Sequence, residues 1–192
     1  NYKMVTISGS RLPHHNIDYP LNHINLGAIE PFELVILQGG SGEANTISER
    51  KDFSLKAKEM IEKIHEAGAE AALYMIHAYV DPHENTNPQM IENIKKMYID
   101  VANQNNVLVI PVGQSFDYDY DIFPDIVLHK EFDGSHPSLL GTYLASCVVF
   151  SSITQKSPLQ IQYDYFGKID EVDKKFLQEV AKKTVENFYR IK

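Results

Sequence analysis

The sequence predicts an α/β fold built as a three-layer, doubly wound, mostly parallel sheet, and three observations predict it. The apolar runs Leu34 to Leu37, Ala71 to Ala78 and Val107 to Val112 are continuous, which suits strands covered on both faces. Between them lie longer stretches whose apolar residues recur every three or four positions, as amphipathic helices require. Strand and helix signals alternate along the chain, the pattern of a sheet wrapped by helices.

Met4 to Ile7 is a short run with three β-branched residues ending at Ser8-Gly9-Ser10, which reads as a strand entering a loop. The next segment holds two prolines and three histidines, then a weak helical period through Ile17, Leu21 and Ile24, so it reads as a loop with one short helix. Leu34 to Leu37 follows as a strand between Pro31 and the loop Gln38 to Asn45. Phe53, Ala57, Met60, Ile61 and Ile64 share one helical face, and Gly68 stops that helix. After the strand Ala71 to Ala78, Met90, Ile91, Ile94, Met97, Tyr98 and Val101 mark a second amphipathic helix. Val107 to Val112 is the next strand, and Asp117 to Lys130 is acidic, aromatic and reads as irregular. Leu139 to Ile153 is almost uniformly apolar, so it reads as a buried helix. A loop from Thr154 to Lys168 leads to a last amphipathic helix on Val172, Phe176, Leu177, Val180, Val185 and Phe188.

Bulk properties narrow the function. With 192 residues and 43% hydrophobic content the chain suits a single domain over 1–192 with a sizeable core. A formal charge of −8 argues against a nucleic-acid groove or an anionic membrane surface, both of which need clustered cations. A small neutral or polar ligand fits better. The longest apolar run, Leu139 to Ile153, is too short to span a bilayer and carries several hydroxyls. Cys147 cannot form an internal disulfide and reads as a small core residue, which leaves the compartment open. Oligomeric state is equally open.

The chemically pointed stretch is Asp133-Gly134-Ser135-His136-Pro137-Ser138. A carboxylate three residues before a histidine can hold an imidazole at the mouth of a sheet, although such a turn also serves simply to start a helix. Pro137 and Ser138 suit the entry to a helix, and Gly141 and Ala145 let that helix pack closely. The block DGSHPSLLGTYLAS resembles the last conserved block of the SGNH (GDSL-like) hydrolases, which share a flavodoxin-like three-layer fold and are mostly esterases and deacetylases. The resemblance implies a Ser-His-Asp triad with His136 as base and Asp133 as its orienter, no cofactor, and a small or carbohydrate-linked ester as substrate. LQGGSGEA looks like the family's third block, and Gly9 in ISGSRL like the second. By that likeness the backbone N–H groups of Gly9 and Gly40 would face the oxyanion. Where the family has a donor Asn this chain has Gly42, so Gln38 or Asn45 would have to substitute.

The family's first block, a strand ending in a Gly-Asp-Ser-like motif, has no convincing counterpart. About 25 residues separate Ser8 from Glu33, too few for the helix, strand and helix expected between the first and third strands. Met4 to Ile7 is therefore read as the second strand, and the nucleophilic serine is expected upstream of Asn1, with Ser10 as the fallback. Ser41 sits in a G-x-S-x-E sequence rather than the G-x-S-x-G elbow of α/β-hydrolases. The alternative to an esterase is a non-catalytic ligand-binding protein on the same scaffold. His14, His15 and His23 lack the spacing of a metal site, so no metal is expected. Tyr118, Tyr120 and Phe123 among Asp117, Asp119, Asp121 and Asp125 suit either a sugar-binding rim or a solvated loop with an aromatic foot. His77 and His129 are placed near the rim without an assigned role.

Overall fold

The computed structural model describes residues 2–190. They form two compact units, Asn1–Tyr74 with Lys96–Val109, and Met75–Lys95 with Ile110–Lys192.

In the first unit a four-residue helix, α1 (Asp18–Leu21), precedes the strand β1 (Leu34–Gln38). β1 pairs in parallel with β2 (Glu70–Tyr74), Leu34 opposite Glu70 and Gln38 opposite Tyr74. A parallel pair needs a crossover, and α2 (Ile47–Glu66) supplies it. Its start is a capping box: the Glu49 N–H donates to the Thr46 hydroxyl at 3.2 Å, and the Thr46 N–H donates to the Glu49 carboxylate at 3.1 Å. The face predicted from the spacing, Phe53, Ala57, Met60, Ile61 and Ile64, is the buried one. β3 (Leu108–Ile110) completes a sheet of order β1-β2-β3. The core of this unit is Leu37, the α2 face, Ala71 to Leu73, and Met97, Tyr98 and Val101 from α3 (Met90–Asn105), whose first six residues belong to the second unit.

In the second unit the Met75 N–H donates to the Ile110 carbonyl at 3.0 Å, and the Gly113 N–H donates back to the Met75 carbonyl at 2.8 Å. These bonds extend the ladder past the ends of the strands. Helices α4 (Val112–Ile122), α5 (Leu139–Thr154) and α6 (Glu171–Tyr189) pack on one another. The Ser138 hydroxyl caps α5, accepting from the Gly141 N–H at 3.1 Å. Cys147 is fully buried, as a small core residue should be, and burial pushes its thiol up to about 12.

Four expectations are corrected. Met4 to Ile7 forms no strand: Met4, Val5 and Ile7 are exposed, and within the segment only the Ile7 carbonyl closes a turn, accepting from Ser10 N–H. β-Branched residues favour extended backbone, but a strand needs a partner ladder, and this segment has none among the described residues. The segment is also not paired with β1. The second expected strand stops at Tyr74, with residues 75–80 outside any named strand. The third stops at Ile110, because Pro111 has no N–H to continue a ladder and stands instead at the N-terminus of α4. Residues 123–130 are irregular as expected, while the first part of the expected irregular segment, residues 117–122, belongs to that helix. Val112, Ser115, Phe116 and Asp119 form its buried face, and the buried Asp119 disguised the helical period.

Candidate functional site

The segment Leu128 to Ser138 is a closed loop fastened at its base. His129 and Pro137 form an isolated antiparallel bridge. The Lys130 N–H donates to the His136 carbonyl at 2.8 Å, and the Ser138 N–H donates to the Leu128 carbonyl at 2.8 Å. The tip is tied to the chain after β2 by the Val80 N–H, which donates to the Gly134 carbonyl at 2.9 Å. Gly134 has φ +60°, and a Cβ there would overlap the Val80 carbonyl, so this position is closed to side chains.

On this loop Asp133 and His136 meet as the sequence predicts. Asp133 Oδ2 lies 2.8 Å from His136 Nδ1. Oδ1 accepts from the Ser135 N–H at 2.8 Å and the His136 N–H at 2.9 Å. The Ser135 amide, the His136 amide and the His136 ring hold the Asp133 carboxyl down at about 2 against its partial desolvation. With Nδ1–H committed to a permanent carboxylate, the lone pair of His136 sits on Nε2, the arrangement a general base needs. The His136 side chain is 71% exposed, so a proton donor can reach it.

Behind this loop lies a hydrogen-bonded chain of neutral rings that the sequence did not reveal as a unit. Tyr120 Oη lies 2.8 Å from His129 Nδ1, and His129 Nε2 lies 3.0 Å from His77 Nδ1 and 3.1 Å from the Ala78 carbonyl. One proton placement accounts for these three contacts: Tyr120 donates to His129 Nδ1, and His129 Nε2–H is shared between His77 Nδ1 and the Ala78 carbonyl. Phe116 stacks on His77 with ring centroids 4.7 Å apart. Burial pushes His77 down to about 3 and His129 down to about 4, so both rings are uncharged at neutral pH. Tyr120 therefore serves this network, and Phe123 packs edge-on against Phe176 of α6.

The remaining predicted residues lie in the first unit. Gly9 is exposed with φ +65° in a turn closed by the Ser10 N–H to the Ile7 carbonyl. Ser10 Oγ lies 2.7 Å from His15 Nε2. Gln38 ends β1 and is exposed, Asn45 is exposed, and Ser41 is buried. Gly40 directs its N–H to the Glu43 carboxylate at 2.6 Å. Glu43 is 1% exposed, and nothing in the sequence marked it beyond its place in a glycine loop. His14 Nδ1 accepts from the Arg11 N–H at 3.0 Å, a local turn contact. Among the described residues no helix is long and apolar enough to cross a membrane.

No protein-family model and no curated protein matches the sequence. Solved structures do match. A DUF4886 family protein from Bacteroides uniformis superposes with a TM-score of 0.69 at 20% identity, covering 83% of this chain and 64% of its own. A "putative SGNH hydrolase" from Slackia heliotrinireducens superposes with a TM-score of 0.60 at 18% identity, covering 76% of this chain and 80% of its own. The fold is thus a three-layer α/β fold, shared with these two structures. The chain spans under two thirds of the length of the Bacteroides protein.

Proposed function

We propose that the protein is an SGNH-type serine esterase or deacetylase acting on a small or carbohydrate-linked ester. The single observation that carries this reading is the Asp133–His136 pair, bonded at 2.8 Å on a fastened loop, with the imidazole open to solvent. In this reading His136 Nε2 takes the proton of a serine hydroxyl as it attacks the ester carbonyl, and later returns it to the leaving alcohol. Asp133 holds the imidazole tautomer and stabilises the imidazolium that forms. The backbone N–H at the Gly9 turn, with Gln38, is assigned to the tetrahedral oxyanion, whereas the Gly40 N–H expected there is taken by the Glu43 carboxylate. Since no serine of the chain stands in a Gly-Asp-Ser-like motif, the nucleophile is assigned to a serine N-terminal to Asn1. The open outer edge of β1, which pairs with no strand on that side among the described residues, supports a further strand there. This reading requires no cofactor.

One contact favours a second reading. Ser10 Oγ lies 2.7 Å from His15 Nε2, within reach for proton transfer, so Ser10 is the competing nucleophile. Hydrolysis of a p-nitrophenyl acetate series separates the two. The natural full-length polypeptide, its His136→Ala and Ser10→Ala variants, and the 192-residue chain are compared. Activity lost in His136→Ala and in the short chain, but kept in Ser10→Ala, supports the upstream serine. Activity lost in Ser10→Ala and kept in the short chain supports Ser10. No hydrolysis dependent on either His136 or Ser10 in any folded form would refute the esterase and favour a ligand-binding protein.

A further inference from the structure

We propose that Glu43 is a positioning residue whose carboxylate fills the anion site of the glycine loop Gln38 to Asn45 and ties that loop to the Gly9 turn. Exposed N–H groups in a glycine-rich turn after a strand attract an anion. Here the chain supplies its own. The Gly40 N–H donates to Glu43 Oε2 at 2.6 Å, and the Leu12 N–H is shared between Oε1 at 3.1 Å and Oε2 at 3.2 Å. Leu12, 31 positions away in sequence, lies three residues past Gly9, so one carboxylate spans both segments.

The surroundings are shaped for that carboxylate. A Cβ on Gly39 would collide with Glu43 Oε2 and with the Phe53 ring, so glycine leaves the space the acid occupies. The preceding amide is fixed separately, the Gly39 N–H donating to Tyr98 Oη at 3.1 Å. A Cβ on Gly40 would meet the Ser10 carbonyl oxygen at 3.6 Å, which measures how close Glu43 holds the two segments. Burial pushes the Glu43 carboxyl up, while the Gly40 and Leu12 amides and the Arg11 and His14 charges draw it back. The acid is held by directed donors rather than by one ion pair, and Arg11 itself pairs with Glu49 at 2.7 Å.

The consequence for catalysis rests on the esterase reading, in which the Gly9 turn, tied through Leu12 to Glu43, carries the oxyanion donor. Donors must stand in place before charge develops, so a residue that sets their spacing acts on kcat more than on KM. The test uses Glu43→Ala and Glu43→Gln in the natural full-length protein, with acetate and formate as probes. In Glu43→Ala, kcat should fall about 10²-fold while KM holds within about twofold. Glu43→Gln, which keeps one acceptor oxygen, should retain most of the activity. Acetate or formate should restore part of the kcat of Glu43→Ala and raise its Tm, and leave the natural protein unchanged.

The Tm arm and the amide signals are independent of esterase activity. A folded Glu43→Ala variant whose Tm ignores both anions overturns the proposal. Should that variant fail to fold, NMR of Glu43→Gln decides: an upfield move of the Gly40 and Leu12 amide protons supports the latch, and unchanged amides overturn it. Anion rescue of Tm alongside no hydrolysis dependent on either His136 or Ser10 in the natural protein would keep the latch and discard the esterase.

Discussion

Asp119 gives the sharpest energetic test of the second unit. It is fully buried on α4, and neither carboxyl oxygen has a hydrogen-bond partner among the described residues. Burial pushes its carboxyl from 3.8 up to about 7. An acid whose pKa rises on folding binds its proton more tightly in the folded state. Its contribution is therefore fully present below about pH 4, declines as the pH rises to about 7, and is absent above that. At 1.36 kcal/mol per pH unit, the interval from 3.8 to about 7 corresponds to about 4 kcal/mol, an upper bound because water admitted around the carboxylate lowers the cost. Asp119→Asn keeps the shape and cannot ionise. Urea unfolding of both proteins at pH 4, 6 and 8 should show a difference near zero at pH 4, growing to about 4 kcal/mol in favour of the variant at pH 8. That corresponds to a Tm roughly 10 °C higher in a chain of this size. Carboxylates elsewhere titrate in both proteins and cancel in the difference. A difference independent of pH would refute the reasoning, since it would mean Asp119 ionises in the fold as it does in water.

Other outcomes follow from the loop that bears His136. Gly134→Ala forces a Cβ into the Val80 carbonyl at φ +60°, so it should cost about 2–4 kcal/mol in urea unfolding and lower His136-dependent activity. A cost under about 0.5 kcal/mol would mean the loop stands off from Val80. Carbon-detected NMR titration should place the Asp133 midpoint near 2, and Ser135→Pro, which deletes the first amide donor, should raise it. A natural-protein midpoint near 4 would mean these bonds are not made.

The candidate base and its orienter were legible because their geometry is local. Asp133 and His136 are three positions apart, and both amides that grip the carboxylate belong to the same turn. The face of α2 and the cap of α5 were legible for a similar reason, since periodicity and caps are written within one element. Asp119 broke that logic. A buried acid reads as solvent-facing in any hydrophobic pattern, so the second half of α4, residues 117–122, reads as irregular from the sequence.

Pairing over distance was hidden. His77 and His129 are 52 positions apart, and Glu43 and Leu12 are 31 apart, so no spacing rule joins them. Met4 to Ile7 has the residues of a strand, yet strands exist by virtue of the neighbour that completes their hydrogen bonds, and that neighbour is a tertiary fact. By itself the sequence determined the α/β class, the buried face of α2 and the Asp-x-x-His turn, because each depends on contacts within a few residues; on α6 the expected Val172 is exposed while Lys174 and Gln178 are buried. Only the tertiary structure decided where the strands end, which histidines are kept neutral, and which acid holds the glycine loop, because each depends on burial and on partners from distant segments.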